Sequence, residues 1–237
     1  MRQLEIRRLG RVSYADALAL QKQLVEERRT DAIVDQLLLL EHPHVITLGV
    51  NTKSSWQHVL ASPDRLKDEH VEVHETGRGG DVTYHGPGQV VGYPVLDLRP
   101  DRCDVHKYVR DLEEVLIRAA GRFGIQAGRV SGLTGVWVEG RKLAAIGVRI
   151  SRWITSHGFA FNVGTDLRFF DLIVPCGIAD RGVSSLEKLL GGPVSVPEVE
   201  LALSEEFCQV FERTTNDSGQ PDGGGRRVSP PASLMSS

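Results

Sequence analysis

Three thiols, one lysine and two histidines offer the chain's most evident reactive groups. Cys103 precedes a helical pattern and Cys208 lies inside another, settings in which a cysteine serves as a small buried hydrophobe. Cys176 differs, because in Val174-Pro175-Cys176-Gly177-Ile178 a proline before and a glycine after fix a tight turn. Such a turn presents the sulfur and leaves backbone N–H groups free to serve an oxyanion. A nucleophilic thiol needs a base or a nearby cation to become a thiolate. The candidates are Lys142, which opens an apolar strand in Arg141-Lys142-Leu143-Ala144-Ala145-Ile146-Gly147, and the histidines His85 and His157. A solvated strand-end lysine and a satisfied core histidine are the plainer readings of these residues, and spacing alone does not choose among them.

The second unusual feature is glycine. Gly77, Gly79, Gly80, Gly86, Gly88 and Gly92 crowd a short stretch that includes Arg78-Gly79-Gly80-Asp81-Val82-Thr83-Tyr84-His85-Gly86-Pro87-Gly88-Gln89. No Gly-Lys-Ser/Thr follows, and the flanks read as strand, so neither a P-loop nor a dinucleotide fingerprint is present. Glycines on both sides of Val82 to His85 would let a hairpin backbone approach a ligand, with Arg78 and His85 as polar handles. A twisted hairpin whose glycines only make turns is the alternative.

Together, the Arg78–Gln89 block, the Arg141–Gly147 block, His157-Gly158-Phe159-Ala160-Phe161-Asn162 and Pro175-Cys176-Gly177-Ile178 resemble the bacterial lipoyl(octanoyl) transferases, in that family's order and over about residues 4–212. The resemblance implies acyl transfer in two half-reactions: an octanoyl group passes from acyl carrier protein to Cys176, then to a lysine of the lipoyl domain of a 2-oxoacid dehydrogenase E2 subunit or of the glycine-cleavage H protein. Lys142 matches the family's catalytic lysine. The substrate-binding residues it implies are Arg78, Gly79, Gly80, Asp81, Val82, Thr83, Tyr84 and His85, with Ala145, Ile146, Gly147, Gly158, Phe159 and Ala160. No cofactor, metal, ATP, nucleic acid or membrane is expected to take part.

The chemistry of the residues is compatible with that. Exchange of one thioester for another is close to thermoneutral and needs no ATP. A lysine ammonium beside Cys176 would favour the thiolate, and a neutral Lys142 could take the proton that the attacking amine sheds. Gly and Ala in the two later blocks leave room for an apolar chain. An ATP-dependent lipoate or biotin protein ligase on the same fold, and a silent module that binds lipoyl domains, are the competing readings; neither needs Cys176 and Lys142 together.

The elements that must position these groups follow from periodicity. Ser13 and Asp16 form a capping signal before a helix reaching about Arg29. Leu37 to Leu40 and Val45 to Leu48 read as strands buried on both faces. Ser62-Pro63 opens a short helix, and Gln89 to Leu98 is a strand in which Pro94 predicts an edge or bulge. Asp104 caps the most regular helix, which Gly124 ends. Antiparallel strands fill residues 126–163, and a last helix starts near Pro197. The sum is an α+β fold, a mixed and largely antiparallel sheet with packed helices; the resemblance implies that it is the fold shared with the catalytic domain of biotin and lipoate protein ligases.

The chain has 237 residues, 28 Lys plus Arg against 31 Asp plus Glu, and a formal charge of −3, so no global basic field favours nucleic acid. Its 41% apolar residues mark a globular protein rather than a disordered one. No apolar run is long enough for a membrane span, and MRQLEIRRLGR has no signal-like apolar stretch behind it, so a cytoplasmic location is expected. Residues 1–212 are expected to form the catalytic domain. Residues 213–237, rich in Gly, Pro and Ser, read as a disordered tail.

Overall fold

Four leucines in a row, Leu37 to Leu40, are each completely buried, which requires apolar cover on both sides of their strand. The computed structural model, which describes residues 2–50, 56–100, 102–174 and 182–215, supplies that cover with helices on both faces of a sheet. The strands are β1 (Arg2–Arg11), β2 (Asp35–Glu41), β3 (Val45–Leu48), β4 (Glu72–Glu75), β5 (Thr83–His85), β6 (Gln89–Val95), β7 (Gly128–Val130), β8 (Leu133–Val138), β9 (Arg141–Ser151), β10 (Ile154–Asn162) and β11 (Arg213–Thr214). The helices are α1 (Tyr14–Arg29), α2 (Pro63–Asp68), α3 (Val105–Arg122), α4 (Leu186–Leu190) and α5 (Val196–Phe211), with a 3-10 turn over Leu167–Leu172.

The main sheet runs β11-β1-β2-β6-β10-β9-β8-β7. Its β11–β1 and β1–β2 pairs are parallel and the remaining pairs antiparallel. Alternation splits the leucines: Leu37 and Leu39 face Leu112, Leu116, Leu203 and Phe207 of α3 and α5, while Leu38 and Leu40 face Ala17 and Leu24 of α1. A small sheet, β4-β3-β5, carries its own core of Ile46, Leu48, Val82, Tyr84 and Leu172 and stands over the main one. Helix α1 begins where the Ser13 hydroxyl accepts the N–H of Asp16 at 3.1 Å and donates to its carboxylate at 2.7 Å, a cap whose loss costs about 1 kcal/mol.

Three expectations need correction. Pro94 lies on a central strand, opposite Leu37 of β2. It is tolerated because the β6–β10 ladder stops at Gly92/Phe159 and resumes only at Asp97/Ile154, so no partner seeks the missing N–H. In the gap, the Thr155 hydroxyl accepts from Leu96 N at 2.9 Å and donates to Pro94 O at 2.7 Å. Secondly, Arg213 and Thr214 are not tail. They form β11, and the buried Arg213 guanidinium lies 2.9 Å from the buried Asp35 carboxylate. That moves the end of the ordered fold past residue 212; residues 216–237 lie outside the described residues. Thirdly, Cys103 is exposed rather than buried, whereas Cys208 is half-buried against the α3–α5 core.

Candidate active site

A cavity of about 560 Å³ opens between the main sheet and the glycine-rich loop. Its floor is cut by small residues. On β9 and β10, Ala145 lies opposite Ala160 and Gly147 opposite Gly158, so this patch of sheet carries almost no side chain above the backbone. The loop closes down on it: Gly79 N–H donates to Val148 O at 2.9 Å, and a Cβ on Gly147 would stand 2.9 Å from Gly79 O and 3.2 Å from Arg78 Cδ. Alanine at 147 would push the loop away. Gly80 turns with a φ of +88°, in the region that favours glycine.

The cavity is lined by Arg78, Gly79, Gly80, Asp81, Val82, Thr83 and His85 from the loop side, and by Lys142, Ala145, Ile146, Gly147, Gly158, Phe159 and Ala160 from β9 and β10. Tyr84 is the exception. Side chains alternate along β5, so Thr83 and His85 face the cavity while Tyr84 points into the core of the small sheet, stacked on Phe169, with its hydroxyl 2.7 Å from His44 Nδ1. Asp81 turns its carboxylate to His58, with Oδ2 at 2.5 Å from Nδ1. Tyr14, Val91, Tyr93, Val105, Val109, Leu133 and His157 also contribute to the wall. Of these only His157 carried any chemical signal in the sequence; the rest come from elements whose register no motif marked.

Arg78 is buried, and its Nε and Nη2 donate to Thr47 Oγ1 at 3.1 and 3.0 Å, with Nη2 also reaching Thr47 O at 2.6 Å. Below it three histidines are packed away from water. His42 sits between Val12 O and the Tyr93 hydroxyl, at 2.8 and 2.7 Å. Burial pushes its pKa down to about 4, as it does that of His157, to which Arg78 and Arg149 add a smaller repulsion. His85 falls to about 3, chiefly by burial and then by the neighbouring His42. All three are therefore neutral at pH 7. His85 also has both ring nitrogens engaged, Nδ1 with Gln89 Oε1 at 2.8 Å and Nε2 with Thr47 Oγ1 at 3.4 Å. It is poorly placed to serve a thiol as base.

Lys142 stands at the other end of the floor. Between β8 and β9 the pairs Trp137/Lys142 and Val136/Ala144 leave one extra residue in β9, a bulge of the kind that re-aims a side chain. Lys142 is 9% exposed, with Nζ 4.8 Å from the centroid of the Trp137 ring. Its backbone pairs with the stretch after the Cys176 motif: Lys142 N donates to Gly182 O at 3.0 Å, and Ser184 N to Lys142 O at 2.9 Å. On the near side, Val174 N donates to His58 O at 2.7 Å. Cys176 itself, with the rest of 175–181, lies outside the described residues.

Comparison with known proteins is consistent across sequence and fold. The family model described as lipoyl protein ligase A/B catalytic domain matches residues 13–208. A protein of Solibacter usitatus named octanoyltransferase is 52% identical over 212 residues, which cover 90% of this chain and 94% of that one. Among solved structures, a lipoate-protein ligase A bound with ATP superposes with a TM-score of 0.71 at 16% identity, over 92% of this chain and 90% of that one. The biotin protein ligase of Aquifex aeolicus, in complex with biotin and ATP, gives 0.53 at 14% identity, over 90% and 71%. These two show a shared fold. No helix among the described residues is long and apolar enough to cross a membrane.

Proposed function

The chain belongs to the octanoyltransferases, enzymes of protein lipoylation built on the lipoyl protein ligase A/B catalytic domain, and from this premise we propose that it works through an acyl-enzyme on Cys176 with Lys142 as partner. In the first half-reaction the thiolate of Cys176 attacks the carbonyl carbon of octanoyl-acyl carrier protein. A new C–S bond forms, the bond to the carrier's sulfur breaks, and the carrier leaves as a thiol after taking a proton from the Lys142 ammonium, which is left neutral. In the second, the ε-amine of a lipoyl-domain lysine attacks the acyl-Cys176 carbonyl. The amide forms, the C–S bond breaks, and the proton shed by the amine passes to Lys142. One thioester is spent for one amide, so no nucleotide is required. The octanoyl chain lies over the Ala145/Ala160 and Gly147/Gly158 floor, and Arg78 to His85 form the roof with Tyr84 turned away.

The observation that carries this reading is the backbone pairing of Lys142 with residues 182–184, a few residues beyond Cys176. It ties the lysine to the chain that bears the thiol. His85, already held on both ring nitrogens, leaves the role of partner to Lys142.

The test is intact-mass analysis after incubation with octanoyl-acyl carrier protein and no ATP. An octanoyl adduct is expected on Cys176, lost in Cys176→Ala and retained in Cys103→Ala and Cys208→Ala. Transfer that demands ATP and leaves no adduct would instead select an acyl-adenylate mechanism.

A further inference from the structure

Beneath the cavity a line of buried polar groups runs from the Arg78 guanidinium to the backbone of Lys142, and each hydrogen in it can be assigned. Gln89 Nε2 lies 3.3 Å from Tyr84 O and 2.8 Å from Asn162 Oδ1, and Asn162 Nδ2 lies 3.0 Å from Ser184 O. Backbone carbonyls only accept, so they fix which ends of both amides carry hydrogen. Gln89 Oε1 must then face His85, whose Nδ1 donates to it at 2.8 Å, and His85 Nε2 is left to accept from the Thr47 hydroxyl at 3.4 Å. Thr47 Oγ1 in turn accepts from Arg78. Every bond points the same way: Arg78 to Thr47, to His85, to Gln89, to Asn162, to the Ser184 carbonyl, while Ser184 N–H donates to Lys142 O at 2.9 Å. Thr47, Gln89, Asn162 and Ser184 are each nine-tenths or more buried, so none can exchange its partner for water without cost.

We propose that Asn162 is a positioning residue for the reaction: by holding the Ser184 carbonyl it fixes residues 182–184 against Lys142 and so sets the lysine's place at the reactive end of the cavity. The proposal rests on the role given to Lys142 above. Asn162 is not among the residues that line the 560 Å³ cavity, and its amide reaches Lys142 through Ser184. Asparagine suits the position because it accepts from Gln89 and donates to Ser184 at once. An apolar residue of the same size does neither, and an aspartate donates only as the neutral acid.

Those properties give the test. Steady-state octanoyl transfer from octanoyl-acyl carrier protein to a lipoyl domain is measured for wild type, Asn162→Leu, Asn162→Asp and the control Thr155→Val, with folded fraction checked by thermal melting. Thr155 lies on the same strand, is equally buried, and bonds only to structure away from Lys142. Asn162→Leu is expected to lose at least 30-fold in kcat with KM for the donor within twofold, while Thr155→Val keeps kcat within threefold at a similar loss of melting temperature. Asn162→Asp, referred to wild type at the same pH, is expected to exceed Asn162→Leu at least fivefold at pH 6. An Asn162→Leu protein whose kcat falls no more than the control's overturns the proposal, and so does an Asn162→Asp protein no faster than Asn162→Leu at pH 6, since packing alone would then explain both. Because the comparison reads overall transfer, wild-type turnover without a Cys176 adduct would remove the acyl-enzyme and still leave these ratios decisive for Asn162.

Discussion

Acidification should unfold this protein well before its carboxylates are protonated, because three buried histidines stay neutral in the fold. His42 and His157 hold pKa values of about 4 and His85 about 3, whereas an unfolded histidine titrates near 6.5. Below pH 6.5 the unfolded chain takes up protons that the native chain refuses. Stability therefore falls as pH falls, and continues to fall until the native pKa values are reached. Between pH 7 and pH 5 each histidine should cost about 2 kcal/mol, roughly 6 kcal/mol for the three together. That is comparable to the whole stability of a marginal domain. Glu200, raised by burial, acts in the opposite sense as it takes up its proton. Asp97 and Asp166, held low by Arg99 and Arg168, add their losses only below about pH 4. Urea unfolding at pH 7, 6 and 5 should show the fall directly. In His157→Asn, which keeps a residue tolerant of the observed φ of +56°, the pH dependence should shrink by about a third. A stability constant to within about 1 kcal/mol from pH 7 to 5 would refute the reasoning, because the histidines are what make it fall.

Other consequences are open to simpler assays. Lys142→Arg keeps a cation but can hardly accept a proton, so it should retain part of its acylation rate and accumulate acyl-Cys176, seen by rapid-quench mass spectrometry, whereas Lys142→Ala should be slow in both half-reactions. Ala160→Leu fills the floor opposite Ala145 and should move the preferred acyl chain below eight carbons; each methylene lost from an apolar pocket changes the rate ratio by roughly fourfold, read by competition between hexanoyl and octanoyl donors. Truncation after Thr215 should leave the melting temperature nearly unchanged. Truncation after Glu212 removes Arg213 from Asp35 and should lower it by roughly 5 to 10 °C, the equivalent of about 2 to 3 kcal/mol.

The helices and the doubly buried strands were legible because their signals are local: Ser13, Ser62 and Asp104 cap helices where the sequence places caps, and the leucine run of β2 needs cover on both sides. What was not legible depends on register. Tyr84 stands within a motif that faces the cavity, yet a period of two turns it the other way. Lys142 owes its direction to one extra residue in β9. Glu113 interrupts the apolar face of α3 and is fully buried, accepting from Arg110, Arg129 and Gly135 N–H; those donors lie partly on β7 and β8, beyond any helical window. Gln89 and Asn162 were within recognised blocks, but only the pairing of β6 with β10 brings them together.

The pairing of β1 with β11 also bears on how the chain is made. Arg2 meets Arg213 and Gln3 meets Thr214, so among the described elements the start of the first strand to be synthesised waits for the last strand before its outer edge is paired. A contact that spans nearly the whole ordered chain carries the greatest loop-closure cost and forms late. Beyond Gln3 the outer edge of β1 has no strand partner among the described residues, and such an edge is a template for pairing with other chains. Arg7, Arg8 and Arg11, none of them fully buried, place like charges along that edge, where a second nascent copy would have to lie against the same charges. Charges along an open edge disfavour such pairing, in the finished fold as well as in the nascent chain.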